Sequence, residues 1–141
     1  MTLFGDEGVS PGDMRQGAIG NCWIMAGAAA LAEFPGRVEK LFLNNDNLQT
    51  ETGIYGVNLY ALGVPHTILI DDFLPLRKDK TFLAHTGEDD SIWGPLLEKA
   101  FAKMHGNYEH IASGNPSYSV RTMTGAPWRM YFNFNGAFYG Y

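Results

Sequence analysis

The single cysteine of the chain, Cys22, stands where a glycine-containing loop, Gln16-Gly17-Ala18-Ile19-Gly20-Asn21, runs into the segment CWIMAGAAALAEF. A lone cysteine is ordinarily a small buried residue, so its neighbours must make any case for reactivity. At the start of a helix, free backbone N–H groups and the positive end of the macrodipole favour an anion. A thiol placed there has its thiolate stabilised, and the thiolate is the attacking species. Gln16, six residues upstream, carries a side-chain amide able to donate to a developing oxyanion, with the backbone N–H of Cys22 as a second donor. Gly17 and Gly20 let the backbone approach a substrate closely. Trp23 is placed to pack beneath the loop and shield the thiolate from bulk water. The competing reading is a buried cysteine opening a core helix, with Gln16 simply solvated. Cysteine is a poor residue for capping alone, and donor, glycines and aromatic all stand where acyl transfer would use them.

The elements that must hold this loop follow from periodicity. Cys22 to Phe34 predicts a helix apolar on nearly every face, hence buried, and ended by Pro35-Gly36. Arg37 to Leu43 predicts a short second helix, stopped by the Asn-rich stretch 44–47. Ile54 to Leu62 and His66 to Phe73 predict an antiparallel pair of strands joined through Gly63-Val64-Pro65, and Thr81 to Ala84 a further short segment. Ile92 to Met104 is amphipathic: Ile92, Trp93, Leu96, Leu97, Ala100, Phe101 and Met104 form one stripe, and Glu98, Lys99 and Lys103 are assigned to the solvent face. From Gly106 the chain reads as loop through Ser113-Gly114-Asn115-Pro116, ahead of an aromatic-rich tail, Trp128 to Tyr141, expected to pack on this domain or on a neighbouring one. Helices with a small sheet predict an α+β domain.

Bulk properties bound the function. At 141 residues, with 45% hydrophobic and 18% charged residues, the chain is one globular domain rather than a disordered segment. The formal charge of −5 argues against nucleic acid as a partner. No apolar run reaches the roughly 20 residues of a transmembrane segment. Residues 1–13 lack the regions of a secretory signal, so a cytoplasmic location is expected. One cysteine excludes an intrachain disulfide framework and any multi-cysteine metal site.

QGAIGNCW (16–23) is similar to the cysteine-site motif of the calpain family, where a Gln-Gly stretch precedes Gly-Asp-Cys-Trp. IDDFLPL (Ile70 to Leu76) resembles the family's strand end with paired aspartates. FLAHTGEDDSIWGPLLEKAFAKMHGNYEHIASG (Phe82 to Gly114) resembles its segment with a Trp, a Leu-Leu-Glu-Lys-Ala helix and a Gly-x-Tyr-Glu before a Ser-Gly turn. Thr124-Gly125 followed by Trp128 resembles its closing stretch. Four motifs in family order span the chain from about Gly8 to Tyr131.

The resemblance implies the cysteine-bearing half, over 1–141, of a papain-like intracellular cysteine endopeptidase acting on protein or peptide substrates. Cys22 is then the nucleophile and Gln16 the oxyanion donor. The His and Asn come from a second subdomain outside these residues, so the half-site alone is expected to be inactive. It also implies a Ca²⁺ site at Gly8 and Asp13. Ser91 stands where the family has Glu, which weakens the expected site, with Glu88, Asp89 and Asp90 adjacent. Asn21 likewise replaces the family's acidic residue. These two departures, with the aromatic tail, support an alternative: a calpain-derived, non-proteolytic scaffold or interaction module. His66, His85, His105 and His110 are read as structural or surface residues, and Asp71-Asp72 as a turn bonding backbone N–H groups rather than a catalytic pair.

Overall fold

A computed structural model describes residues 2–44, 52–78, 80–129, 131–134 and 137–140, the last two segments and Lys80 by backbone alone. After a short 3-10 turn at Pro11–Asp13, helix α1 runs from Cys22 to Ala32. It ends before Pro35, whose ring cannot continue it, two residues earlier than its composition predicts. Ile24, Ala28 and Leu31 are buried and only a few positions, Cys22 and Ala26 among them, face solvent. The expected second helix is a single 3-10 turn, Glu39–Leu41.

Strands β1 (Ile54–Ala61) and β2 (Val64–Asp71) pair antiparallel, Ile54 opposite Asp71 and Ala61 opposite Val64. Their connection corrects the predicted one: Leu62 and Gly63 form a two-residue turn with φ of 51° and 81°. Val64 and Pro65 therefore belong to the strand. Two consecutive positive φ values match the right-handed twist of the strands, which explains why the turn is tighter than composition suggests. A small hairpin follows, β3 (Leu76–Arg77) with β4 (Lys80–Thr81), in place of the segment expected at 81–84.

Helix α2 spans Trp93–His105. Trp93, Leu96, Leu97, Ala100 and Phe101 have no exposed surface, as the predicted stripe requires. Glu98 does not follow its assignment to the solvent face: it is 1% exposed. Burying Leu96, Leu97 and Phe101 contributes about 2 kcal/mol each, enough to carry one hydrogen-bonded carboxylate inside with them. Lys99 and Lys103 do reach the rim, bonding the carbonyls of Phe73 (2.7 Å) and Leu69 (2.6 Å) and so stitching α2 to the β2 end.

Helix α3, Pro116–Thr124, replaces part of the expected loop. Asn115 caps it by accepting from Ser117 N at 2.9 Å, Pro116 occupies its first turn, and Gly125 closes it at φ 70°. It packs on α1, where Ser119 Oγ donates to the Trp23 carbonyl at 2.9 Å, and against β1. Backbone strands β5 (Tyr131–Phe134) and β6 (Ala137–Gly140) pair antiparallel; how the aromatic side chains of this tail pack lies outside the described residues. Three helices around one core, with small antiparallel sheets, give the α+β class expected. No helix among the described residues is long and apolar enough to cross a membrane.

Candidate active site

Cys22 is the first residue of α1 and is exposed. The preceding residue, Asn21, starts the helix with its carbonyl, which accepts from Ile24 N at 2.9 Å. Asparagine is among the best N-caps because its side-chain oxygen takes an orphan first-turn N–H, yet here the side chain makes no such cap. It is fully buried instead, donating from Nδ2 to Glu98 Oε1 at 2.5 Å. The start of α1 therefore meets the surface uncapped, with Cys22 upon it.

The loop before it is braced from behind. Residues 82–85 run beside residues 15–18: Ala18 N donates to the Phe82 carbonyl (3.1 Å), and His85 N to the Arg15 carbonyl (2.8 Å). Gly17 lies so close to this wall that a Cβ would collide with the Leu83 carbonyl, and a Cβ at Gly20 would sit 2.9 Å from the Ala112 carbonyl oxygen. Both positions require glycine for close backbone packing, in addition to any approach by substrate. Gln16 is exposed, its Nε2 donating to the Ile19 carbonyl at 2.7 Å, which closes the loop on itself. To serve an oxyanion this amide must exchange one carbonyl for another. Trp23 lies beneath, 3% exposed, its indole N–H on the Ile111 carbonyl at 2.9 Å and its ring edge-on to Phe101.

Glu98, which periodicity misassigned to the solvent face, is bonded to both sides of this loop. Its second oxygen accepts Ala84 N at 2.8 Å. One carboxylate thus holds the residue before Cys22 and the wall behind Gln16. Burial raises its pKa above the ordinary carboxylate value, opposed by the Ala84 N–H, the Asn21 amide and the nearby His85. Tyr108, half-buried, is pushed up to about 12, first by burial and then by the charges of Glu98 and Asp71.

Three of the four histidines have structural employment. His105 Nδ1 donates to the Phe101 carbonyl (2.8 Å) with its ring stacked on Phe101. His110 Nδ1 donates to the His105 carbonyl (2.7 Å), His85 bonds Thr81 Oγ1 at 3.3 Å, and His66 is exposed on β2. Asp71 accepts Phe73 N at 2.9 Å and pairs with Lys99 at 2.5 Å. That hydrogen bond to Lys99 is the chief reason its pKa is lowered. It is the turn carboxylate expected of it.

Gly8 and Asp13 line a small acidic cleft of 190 Å³ together with Glu7, Ser10, Gly12, Glu88 and Asp89. Asp13 Oδ2 accepts Ser10 N (2.8 Å) and the Trp93 indole N–H (2.9 Å). Beside it, Asp89 Oδ2 and Ser91 Oγ are buried with no hydrogen-bond partner among the described residues. Hard oxygen donors and two orphaned oxygens suit a cation such as Ca²⁺ in kind. In number they fall short: among the described residues no three acidic, His or Cys side chains converge on one point.

An exposed cysteine thus opens an uncapped, buried helix, with an amide-bearing loop braced beside it. In sequence comparison, the profile described as "Calpain family cysteine protease" matches residues 1–137. Human calpain-12 is 33% identical over 120 residues, and the human calpain-1 catalytic subunit 32% over 120 residues. Calpain-5 of Caenorhabditis elegans is 33% identical over 124 residues. Each match covers 84% of this chain but only 17 to 19% of the relative, so the chain spans less than a fifth of their length. The chain belongs to the calpain family of cysteine proteases.

Proposed function

We propose that residues 1–141 form the cysteine-bearing subdomain of a calpain-type cysteine endopeptidase core, cytoplasmic and acting on proteins. The observation that carries this reading is the exposed Cys22 at the uncapped start of α1, beside the Gln16 loop. The Cys22 thiolate attacks the scissile carbonyl, and Gln16 Nε2 and the Cys22 N–H receive the oxyanion. The C–N bond then breaks to leave a thioester. A histidine of a second subdomain, oriented by an asparagine, carries the proton to the departing amine and activates the hydrolytic water. This chain alone supplies half of that set and is expected to be inactive by itself.

The family's Ca²⁺ would be held here by the Gly8 carbonyl, Asp13 and, in place of the missing acidic residue at 91, Asp89. Its contribution is to tie the loop at 8–13 to the start of α2. With Ser91 at the family's glutamate position, affinity is lower than a full carboxylate set would give. Calorimetric titration decides this, and micromolar binding would contradict the weakened site.

Hydrolysis of a casein-type substrate by the full-length protein, lost in Cys22→Ala, is the expected result for an endopeptidase. Absence of hydrolysis in a protein that carries its His and Asn subdomain would favour the non-proteolytic scaffold instead.

A further inference from the structure

Asn21 should cap α1 and does not. Its side chain is drawn 77 positions along the sequence to a buried acceptor on α2, while its own Oδ1 is left buried and without a partner among the described residues. Burying an amide with one oxygen unsatisfied costs about 1–3 kcal/mol, and a local alternative exists: rotation about ψ, 29° here, into the extended region of a capping residue would carry that oxygen onto the first-turn N–H groups, worth about 1 kcal/mol as a cap. The stronger, charge-assisted bond to Glu98 prevents this rotation. Glu98 is itself fixed by Ala84 N (2.8 Å) and by its place on α2, between the wholly buried Leu97 and Phe101.

We propose that Glu98 is a positioning residue of the cysteine site: by holding the Asn21 side chain inside the core, it keeps the Cys22 and Trp23 N–H groups at the start of α1 free to face the anion formed at Cys22. The same carboxylate, through Ala84, fixes the wall at 82–85 on which the Gln16 segment leans. This inference rests on Cys22 being the nucleophile, but the hold on Asn21 can be measured separately.

The test is the rate of Cys22 alkylation by iodoacetamide across pH in the full-length protein, read by mass spectrometry of the peptide containing Cys22. In Glu98→Met, Asn21 loses its acceptor and turns back to cap the helix. The rate at pH 7 falls about tenfold and the rate–pH curve moves to higher pH, and the stranded Ala84 N–H costs about 1–3 kcal/mol of stability. Glu98→Gln rescues. Its oxygen takes Ala84 N, its amide donates to the rotated Asn21 Oδ1, and reactivity stays within about threefold of the wild type. Asn21→Ala placed on Glu98→Met also restores the rate, because no side chain remains to cap. An unchanged rate–pH curve in folded Glu98→Met overturns the proposal, as does a Glu98→Gln as impaired as Glu98→Met. Should Glu98→Met fail to fold, hydrogen exchange in the unaltered protein decides: the Asn21 side-chain amide protons are slow and the Trp23 backbone amide fast, and a protected Trp23 amide contradicts the proposal. If Cys22 of the unaltered protein reacts no faster than a free cysteine peptide, the nucleophile reading fails, whereas the exchange of the Asn21 amide still reports whether Glu98 holds it.

Discussion

Two loops of this subdomain are each fastened by one buried carboxylate, and they are finished to different degrees. At the cysteine loop, Glu98 accepts Asn21 Nδ2 and Ala84 N, and the close packing of Gly17 against the Leu83 carbonyl leaves little room for another conformation. At the acidic loop, Asp13 accepts Ser10 N and the Trp93 indole, but Asp89 Oδ2 and Ser91 Oγ beside it are buried without partners among the described residues. The first loop is complete within the chain apart from the one oxygen of Asn21. The second has spare oxygen atoms that a cation would suit in kind. The loop at Cys22 is therefore held by groups of this chain, whereas the region at 87–91 is where an added ion would act.

The largest effect that would break this comparison is at Asp13. Asp13→Ala strands the buried Trp93 N–H and removes the capping box of the Pro11–Asp13 turn. A loss of about 2–4 kcal/mol is expected in urea denaturation; a loss below 1 kcal/mol, about that of a single cap, would mean that the loop is not fastened there. Calcium should act on the acidic loop alone. At a free concentration ten times its Kd it adds about 1.4 kcal/mol of stability, and Asp89→Asn removes that gain while leaving Cys22 alkylation unchanged. An equal gain in Asp89→Asn would exclude Asp89 as a ligand.

A smaller and opposite effect is expected at Glu98. Its pKa is raised in the fold by burial, so its protonated form is favoured there and its contribution to stability is present at low pH and lost as pH rises through the folded value. Glu98→Gln is accordingly more stable than the wild type at pH 7, with an advantage that shrinks on acidification. A stabilisation that grows toward low pH would reverse the sign. The smallest effect lies at the exposed Asp71–Lys99 pair. Asp71 has a lowered pKa, so its contribution is present above the ordinary aspartate range and disappears as pH falls through the folded value. Asp71→Asn should cost under about 1 kcal/mol at pH 7, and nothing once the wild-type carboxyl is protonated.

Helix α1, the stripe of α2 and the strand pair were legible because apolar spacing alone dictates them. The place of Cys22 at the start of α1, the loop before it and the turn role of Asp71 also followed from local residue types, whereas the exposure of Cys22 did not: Trp23 packs beneath the loop without covering the thiol. What escaped was set by partners distant in sequence or by punctuation with two meanings. Glu98 stands between Lys99 and Leu97 in a helical pattern that offers no reason to bury it; only the amides of Asn21 and Ala84, brought in by the fold, make burial tolerable. Asn115-Pro116 reads as loop by composition, although the same pair is an N-cap followed by a first-turn proline, and it starts α3. Leu62-Gly63 took the left-handed turn because strand twist outweighed the cost of a positive φ at leucine.

The central claim, that Cys22 is a nucleophile waiting for the rest of its site, is tested most directly by an epoxysuccinyl inhibitor. The full-length protein with its His and Asn subdomain should be labelled at Cys22 at a stoichiometry of one, and residues 1–141 expressed alone far more slowly. Failure of Cys22 to react with that second subdomain in place would contradict the account.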